Sequence, residues 1–493
     1  MYGDWRAKIF SSAVRKTYGE NAMESFVGLC VLLLIGHLLR SKLKILQWLY
    51  LPSCVIAGLF GLAVLQLAPH LGWNIPSAWT AGWGKLPGLL INVVFACLFL
   101  GVEIPGLGKI WERAAPQLAY GQVVAWGQYV VGIGLTMLVL CPVFGVPEMF
   151  GAIIPVGFEG GHGTAGGLKE VFENYGFAEG GDLGLASATA GMISAIVVGM
   201  ILINWAVRRG HAVRKQKMVD RSEDDSIGVI PVGQRPSAGR LTVKADAIES
   251  FTLHLVFVGL AVGFGYFVKY GMNTAEQWLN ADLISRIQQG LAPANDRVRT
   301  SGYILHSFPL FPLCMIGGIL VQIWEQKFDR HKLMDHGLTR RIQNAALDFL
   351  VVPAIAMISI VTIQSFLWPF LIVVGAGILW NVLCVMVLAR RMLPDVWFER
   401  SIAEMGQSMG VTSTGLLLLR VVDPDYETPA AGAFAYKQIL HEPFMGGGLW
   451  TSAAIPLLVL WGGWPVFGIA CGAVAFWLIL TFFTPVIRGR KKM

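Results

Sequence analysis

The sequence predicts an all-α polytopic membrane protein: two inverted repeats of five transmembrane helices, each with a re-entrant hairpin, plus an extra C-terminal helix. Three observations predict it. Hydrophobic side chains make up 55% of the 493 residues and charged ones only 14%, with a mean hydropathy of +0.60, whereas a soluble domain carries roughly 25% charge. The apolar residues fall into runs of about 20, the length that spans a bilayer core. Finally, Pro52-x-Cys54-x-Ile56-x-Gly58 recurs as Pro312-x-Cys314-x-Ile316-x-Gly318, both early in the second run of their half.

Residues 1–21 read as a surface amphipathic segment, because Trp5, Ile9, Phe10 and Val14 stand near helical spacing with Arg6, Lys8, Arg15 and Lys16 between them. The first repeat, 22–206, has crossings near 24–39, 46–68, 86–102, 118–141 and 183–206. Within it, 150–168 turns too polar and glycine-rich to face lipid and reads as a hairpin. Residues 207–249 form a cytoplasmic linker with nine Arg/Lys against six acids. The second repeat, 250–460, has crossings near 250–270, 303–324, 345–366, 368–389 and 431–460, with its hairpin at about 398–419. Residues 461–493 supply the extra helix, 464–486, and a basic tail.

Orientation follows from the basic clusters. Arg40, Lys42 and Lys44, Lys109 and Arg113, the linker, Lys327 to Arg341, Arg390 and Arg391, and the tail share one side if every run crosses once and the hairpins do not. Positive loops stay cytoplasmic, so five crossings per half invert the second half relative to the first. The net charge of +7 is this orientation signal and not a nucleic-acid surface. The seven cysteines, Cys30, Cys54, Cys97, Cys141, Cys314, Cys384 and Cys471, lie in apolar stretches without metal-ligand spacing and read as packing residues.

The first hairpin contains Glu159-Gly160-Gly161-His162-Gly163-Thr164. Glycines at this density expose peptide groups, which at membrane depth is tolerated only where the backbone lines a cavity or is buried in protein. The second contains Gln407-Ser408-Met409-Gly410-Val411-Thr412-Ser413-Thr414, whose hydroxyls and freed carbonyls suit substrate contacts and Na⁺. Gly160, Gly161, His162, Gly163, Thr164, Gly410, Thr412, Ser413 and Thr414 are the candidate substrate-binding residues, and Gly163→Ala is expected to collapse transport. Arg420 is a candidate partner for a substrate carboxylate. Thr189, Gln407 and Ser408 are candidate Na⁺ ligands. Asn92 and Asp348 are weaker ion candidates, and His254 and His306 read as satisfied histidines.

Gly-Gly-His-Gly-Thr at 160–164, Tyr-Gly-Phe at 175–177, Ala-Thr-x-Gly at 188–191 and Gly-x-Thr-x-Thr at 410–414 together resemble the bacterial sodium:glutamate symporter family over roughly residues 22–460. The resemblance implies a multi-pass protein of the bacterial inner membrane that moves an acidic amino acid with Na⁺. It also implies hairpins that meet at mid-membrane, a homodimer surrounded by lipid, and no organic cofactor. The sequence departs from that pattern at Glu159, where a small polar residue is expected, and at the extra helix. It departs again at Lys437, His441 and Glu442, which replace an apolar helix start and are coupling candidates. Two placements are open for that triplet: inside the bundle, where ionisable groups are costly and functional, or snorkelling at the cytoplasmic interface.

A Walker-type loop, His-Glu-x-x-His and a nucleophile elbow are all missing from the sequence, which argues against ATP drive and against an enzyme using Glu159 and His162. The alternatives carried forward are that enzyme, an H⁺-coupled carrier of another organic anion, and a channel.

Overall fold

The computed structural model describes residues 12–49, 51–104, 106–212, 235–244, 246–279, 308–423 and 427–483, with the single residues 230, 281 and 305. Residues 1–11 of the amphipathic segment, most of the linker, His306 and the basic tail lie outside the described residues, and residues 12–20 continue directly into the first helix. The helices are α1 (Ser12–Lys42), α2 (Ser53–Leu67), α3 (Leu86–Cys97), α4 (Leu107–Leu135), α5 (Ile153–Gly157), α6 (Gly161–Gly167), α7 (Glu179–Arg209) and α8 (Ser250–Leu279). Then follow α9 (Phe311–Phe328), α10 (His336–Ala356), α11 (Leu367–Leu383), α12 (Trp397–Ser408), α13 (Thr412–Val422), α14 (Ala430–His441), α15 (Leu449–Trp461) and α16 (Gly463–Phe483). Short helical turns link several of them.

Six segments among the described residues are long and apolar enough to cross a membrane: Ala22–Lys42, Ala114–Phe144, Glu179–Arg209, Ser250–Trp278, Leu367–Met392 and Gly463–Phe483. The other expected crossings are shorter or broken, for local reasons. Pro52 at the N-cap of α2 separates it from a short helix at Lys44–Trp48, since proline has no N–H to give and disfavours a helical residue before it. The stretch 431–460, expected as one span, splits into α14 and α15 because Gly446, Gly447 and Gly448 interrupt it, Gly447 at φ +93. The helix α10 starts nine residues before the expected 345, where Asp335 caps it by accepting the Leu338 N–H at 3.0 Å.

Two packed groups result. In one, α2 lies on α1 and α10, α9 on α8 and α3, and α3 on α10. The repeated motif explains two of these crossings. A Cβ on Gly58 would stand 2.7 Å from Ile355 of α10, and one on Gly318 would run into the backbone of Ala96 in α3, so only glycine admits either approach. The second group gathers both helix pairs α5–α6 and α12–α13 around α4, α7, α11 and α14, with α16 along α4. The groups join where α6 packs on α3 and α10 and where α7 meets α10; α13 has no comparable packing on α10 among the described residues. Large apolar side chains on α8, among them Phe251, Leu260, Phe267 and Trp278, stay exposed, as expected of a lipid-facing helix.

Candidate functional site

Both glycine-rich stretches fold as helix–turn–helix hairpins whose tips touch. Gly161 opens α6 at φ +68, and a Cβ there would lie 2.9 Å from Val411 Cγ1 and 3.3 Å from the Gly410 carbonyl oxygen at the other tip. A left-handed φ without room for a side chain requires glycine. The helix α7 serves both hairpins. Thr189 donates to the Leu185 carbonyl at 3.1 Å, so its oxygen accepts from His162 Nε2 at 2.9 Å. Two residues on, Gly191 leaves space for the Met409 carbonyl and Phe158.

Beside the tips runs a buried chain of polar side chains. Gln117 Nε2 donates to Glu404 Oε2 at 2.8 Å, and Lys437 Nζ donates to Glu404 Oε1 at 2.6 Å and to Gln407 Oε1 at 2.7 Å. Gln407 Nε2 then donates to Glu159 Oε1 at 2.8 Å, which also receives His441 Nε2 at 2.6 Å. Lys437, His441 and Glu404 are 0% exposed and Glu159 5%, which decides the placement of the triplet: Lys437 and His441 lie inside the bundle. One helix, α14, thereby grips both hairpins, the first through His441 and the second through Lys437. Burial of such charges is tolerated only because each is paired and hydrogen-bonded.

The tautomer of His441 follows from its neighbours. Trp126 Nε1, a donor only, gives its proton to Gln122 Oε1 at 2.9 Å, which turns Gln122 Nε2 toward His441 Nδ1 at 3.2 Å. Nδ1 must accept that amide proton, so His441 is neutral and its Nε2–H donates to Glu159. With two carboxylates, one ammonium and a neutral imidazole, the group of Glu159, Glu404, Lys437 and His441 carries one net negative charge. Glu159 Oε2 is buried without a hydrogen-bond partner among the described residues.

A second polar set sits at the more accessible edge. Thr412 Oγ1 donates to Glu442 Oε1 at 3.1 Å, and Gln438 Nε2 reaches Thr412 Oγ1 at 2.9 Å and Glu442 Oε1 at 3.2 Å. That leaves the buried Gln438 Oε1 without a partner among the described residues. Ser413, the next residue after Thr412, is exposed.

The remaining expected residues are placed differently. Gly160 lies in the first tip, and Thr164 and Gly163 follow in α6, where a Cβ on Gly163 would meet only the movable end of Ile91, at 2.7 Å. A Cβ at Gly163 is therefore sterically cheap, and the conformationally strained position is Gly161. Gly410 and the buried Thr414 flank the second tip. Arg420 is exposed in the last turn of α13, about 13 Å along the helix from the tip at 1.5 Å per residue. Of the Na⁺ candidates, Gln407 Oε1 accepts from Lys437 and Thr189 Oγ1 from His162, while the buried Ser408 donates its hydroxyl to Asn381 Oδ1 at 2.7 Å. Asn92 bonds its own helix at Gly88 and Leu89, and His254 links Ser250 to the Asp335 N–H. Sequence reasoning missed Glu404 as a partner and the glutamines of α4, Gln117, Gln122 and Gln128. Their signal was three carboxamides within an otherwise apolar span.

A cavity of about 760 Å³ opens between the start of α3, the end of α6 and the facing ends of α8 and α9, lined by Lys85, Asn92, Gly166, Lys169 and Lys269 among others. Lys169 there pairs with Asp182 at 2.9 Å.

A family model described as sodium/glutamate symporter matches residues 19–281, more than half of the chain. The chain is also 27% identical over 247 residues to the sodium/glutamate symporter of Escherichia coli (strain K12), and equally to that of Shigella flexneri. These alignments cover 49% of this chain and 57% of each relative, so the chain spans just over half the length of the curated relatives it matches. No solved structure matches. The family match holds the first hairpin, α4 and α7, whereas Glu404, Lys437, His441 and Glu442 lie beyond it.

Proposed function

Because the chain belongs to the sodium/glutamate symporter family, we propose that this multi-pass membrane protein is a secondary active symporter carrying glutamate or a related acidic amino acid with Na⁺ by alternating access. The observation that carries the reading is the meeting of two hairpin tips beside a buried, paired charge cluster, the kind of irregular backbone that transporters place around substrate. The N-terminal end of α13, with Thr412 and the exposed Ser413, offers a carboxylate the positive end of a helix dipole. Na⁺ is best served by the Glu442 carboxylate, the Thr412 hydroxyl and the unpartnered Gln438 Oε1, hard oxygens with one negative charge. The cavity beside α6 supports an approach path to the first hairpin. The hairpins are not packed alike: α6 rests on α3 and α10, whereas the flank of α13 carrying Ser413 and Arg420 is open, which supports a state accessible from the side of the second hairpin.

The duplicated, inverted architecture belongs to the same proposal. Crossed packing of α2 on α10 and α9 on α3 supports it. So do the paired contacts of Cys54 with Asp348 and of Cys314 with Asn92, and the π-helical turns that follow both α4 and α11. Impermeant thiol reagents check the orientation on a cysteine-free background: Ser413→Cys is expected to react only from the cytoplasmic side and Glu173→Cys only from outside. Labelling of both from one side would rule out inversion. A homodimer, implied by the resemblance, is read by light scattering of the detergent-solubilised protein.

Calorimetric titration of glutamate into purified protein tests the cation assignment. Na⁺ should tighten binding relative to choline, and Gln438→Leu should raise the Na⁺ concentration required by about tenfold, or about 1.4 kcal/mol. Unchanged Na⁺ dependence in Gln438→Leu and Thr412→Val would remove those oxygens from the site.

A further inference from the structure

The end of α7 and the end of the span Leu367–Met392 come together around one guanidinium, that of Arg390. We infer that this place binds the phosphodiester headgroup of an anionic phospholipid, in the leaflet that the basic loops mark as cytoplasmic. The Arg390 guanidinium carbon lies 4.7 Å from the centroid of the Trp397 ring and 6.0 Å from that of Trp205. The His211 ring lies 5.0 Å from Trp205 and 5.6 Å from Trp397, so three rings border the guanidinium. Arg390 Nη2 donates to His211 Nε2. A guanidinium does not give up its proton, so the imidazole is the acceptor and is neutral. Partial burial, then Arg390 and Arg209, hold the His211 pKa below the ordinary histidine value. Arg390 is thus positioned by its neighbours and not merely solvated.

What the guanidinium lacks is an anion. Arg208 and Arg209 on α7 and Arg391 beside Arg390 are exposed, and none of these four arginines pairs with a carboxylate among the described residues. Asp395, in the turn that follows, pairs instead with Arg400 at 2.7 Å. Orientation of a span needs only positive charge, whereas the planar fork of Arg390 is suited to two oxygens of one phosphate. The depth is that of lipid phosphates, because two apolar spans end here and Trp205 and Trp397 are of the type that lines the membrane interface. Basic pockets between helix ends on this side suit anionic headgroups. A lipid fits better than free phosphate because Ile201 and Val387, about one turn deeper than Trp205 and Arg390, are exposed apolar side chains that acyl chains would cover. A headgroup held there ties the end of α7, whose Thr189 and Gly191 support the two hairpins, to the turn that leads into α12.

The test is native mass spectrometry and thermal unfolding of the purified full-length protein in detergent. Phosphatidylglycerol, phosphatidylcholine and inorganic phosphate are added in turn. Phosphatidylglycerol is expected to stay bound where phosphatidylcholine is lost, and to raise the melting temperature; inorganic phosphate at the same concentration should not raise it. Arg390→Lys keeps the charge but loses the fork and the stacking, and should raise the Kd for phosphatidylglycerol about tenfold. Arg209→Gln, remote from the Trp205–Trp397 stack, should weaken binding in the same direction, and it decides the matter if Arg390→Lys lowers the melting temperature without lipid. Arg340→Lys, on the same side of the membrane but away from the site, should bind as wild type does. Equal retention of phosphatidylcholine, or an equal loss in Arg340→Lys, would overturn a defined site in favour of diffuse attraction. Stabilisation by inorganic phosphate as strong as that by phosphatidylglycerol would overturn the lipid as ligand. Unchanged binding in both Arg390→Lys and Arg209→Gln would overturn the assignment to these residues. None of these outcomes bears on the symport reading, which is tested separately by uptake.

Discussion

Lys437→Met is expected to abolish uptake and to destabilise the protein by about 3–5 kcal/mol, the loss that follows when one member of a buried ion pair is removed and the other is left uncompensated. Glu404 is 0% exposed and shared between Lys437 and Gln117, so it has no bulk-solvent contact to take over the charge. Gln407 loses its partner in the same step and with it the fixed orientation that presents its amide to Glu159. The double variant Glu404→Leu/Lys437→Met removes both charges and should recover most of the melting temperature, since replacing a whole buried pair by apolar residues is often neutral. Uptake should stay absent. Thermal unfolding in detergent separates the two effects. A single variant as stable as wild type would mean that Lys437 is solvated and not caged.

Gly161→Ala carries the second largest effect. The left-handed conformation costs an L-residue roughly 1–2 kcal/mol, and the new methyl would press on Val411 and the Gly410 carbonyl, the point where the two tips meet. Uptake should fall at least tenfold while the protein still reaches the membrane, because the rest of α6 stays packed on α7. Gly163→Ala should retain most activity, since only the end of Ile91 must move. Equal loss from both would show that the whole glycine run, not its first member, is required.

Much of the fold was legible because membrane spans are written as composition. Runs such as 183–206 and 464–486 have few charged side chains to confuse the reading, and both appear as α7 and α16. The break at 442–448 was less legible: a glycine triplet inside an apolar run reads equally as helix packing until the chain's path to the hairpin is known. The site followed the same division. Local chemistry pointed to the hairpin glycines and threonines, and the family motif to His162 and Thr189. The partnership of Lys437 with Glu404, 33 residues apart, and of His441 with Glu159, 282 apart, is set by tertiary packing that no local pattern encodes. Arg420 shows the converse: a basic residue close to the hairpin in sequence but carried away from its tip by the length of α13.

Uptake of radiolabelled L-glutamate by liposomes containing the purified protein, under an inward Na⁺ gradient or an equal K⁺ gradient, tests the central claim most directly. Saturable accumulation above the equilibrium level with Na⁺, collapsing to equilibration when the gradient is dissipated, is the predicted result. Non-saturating flux, or accumulation indifferent to Na⁺, would contradict it.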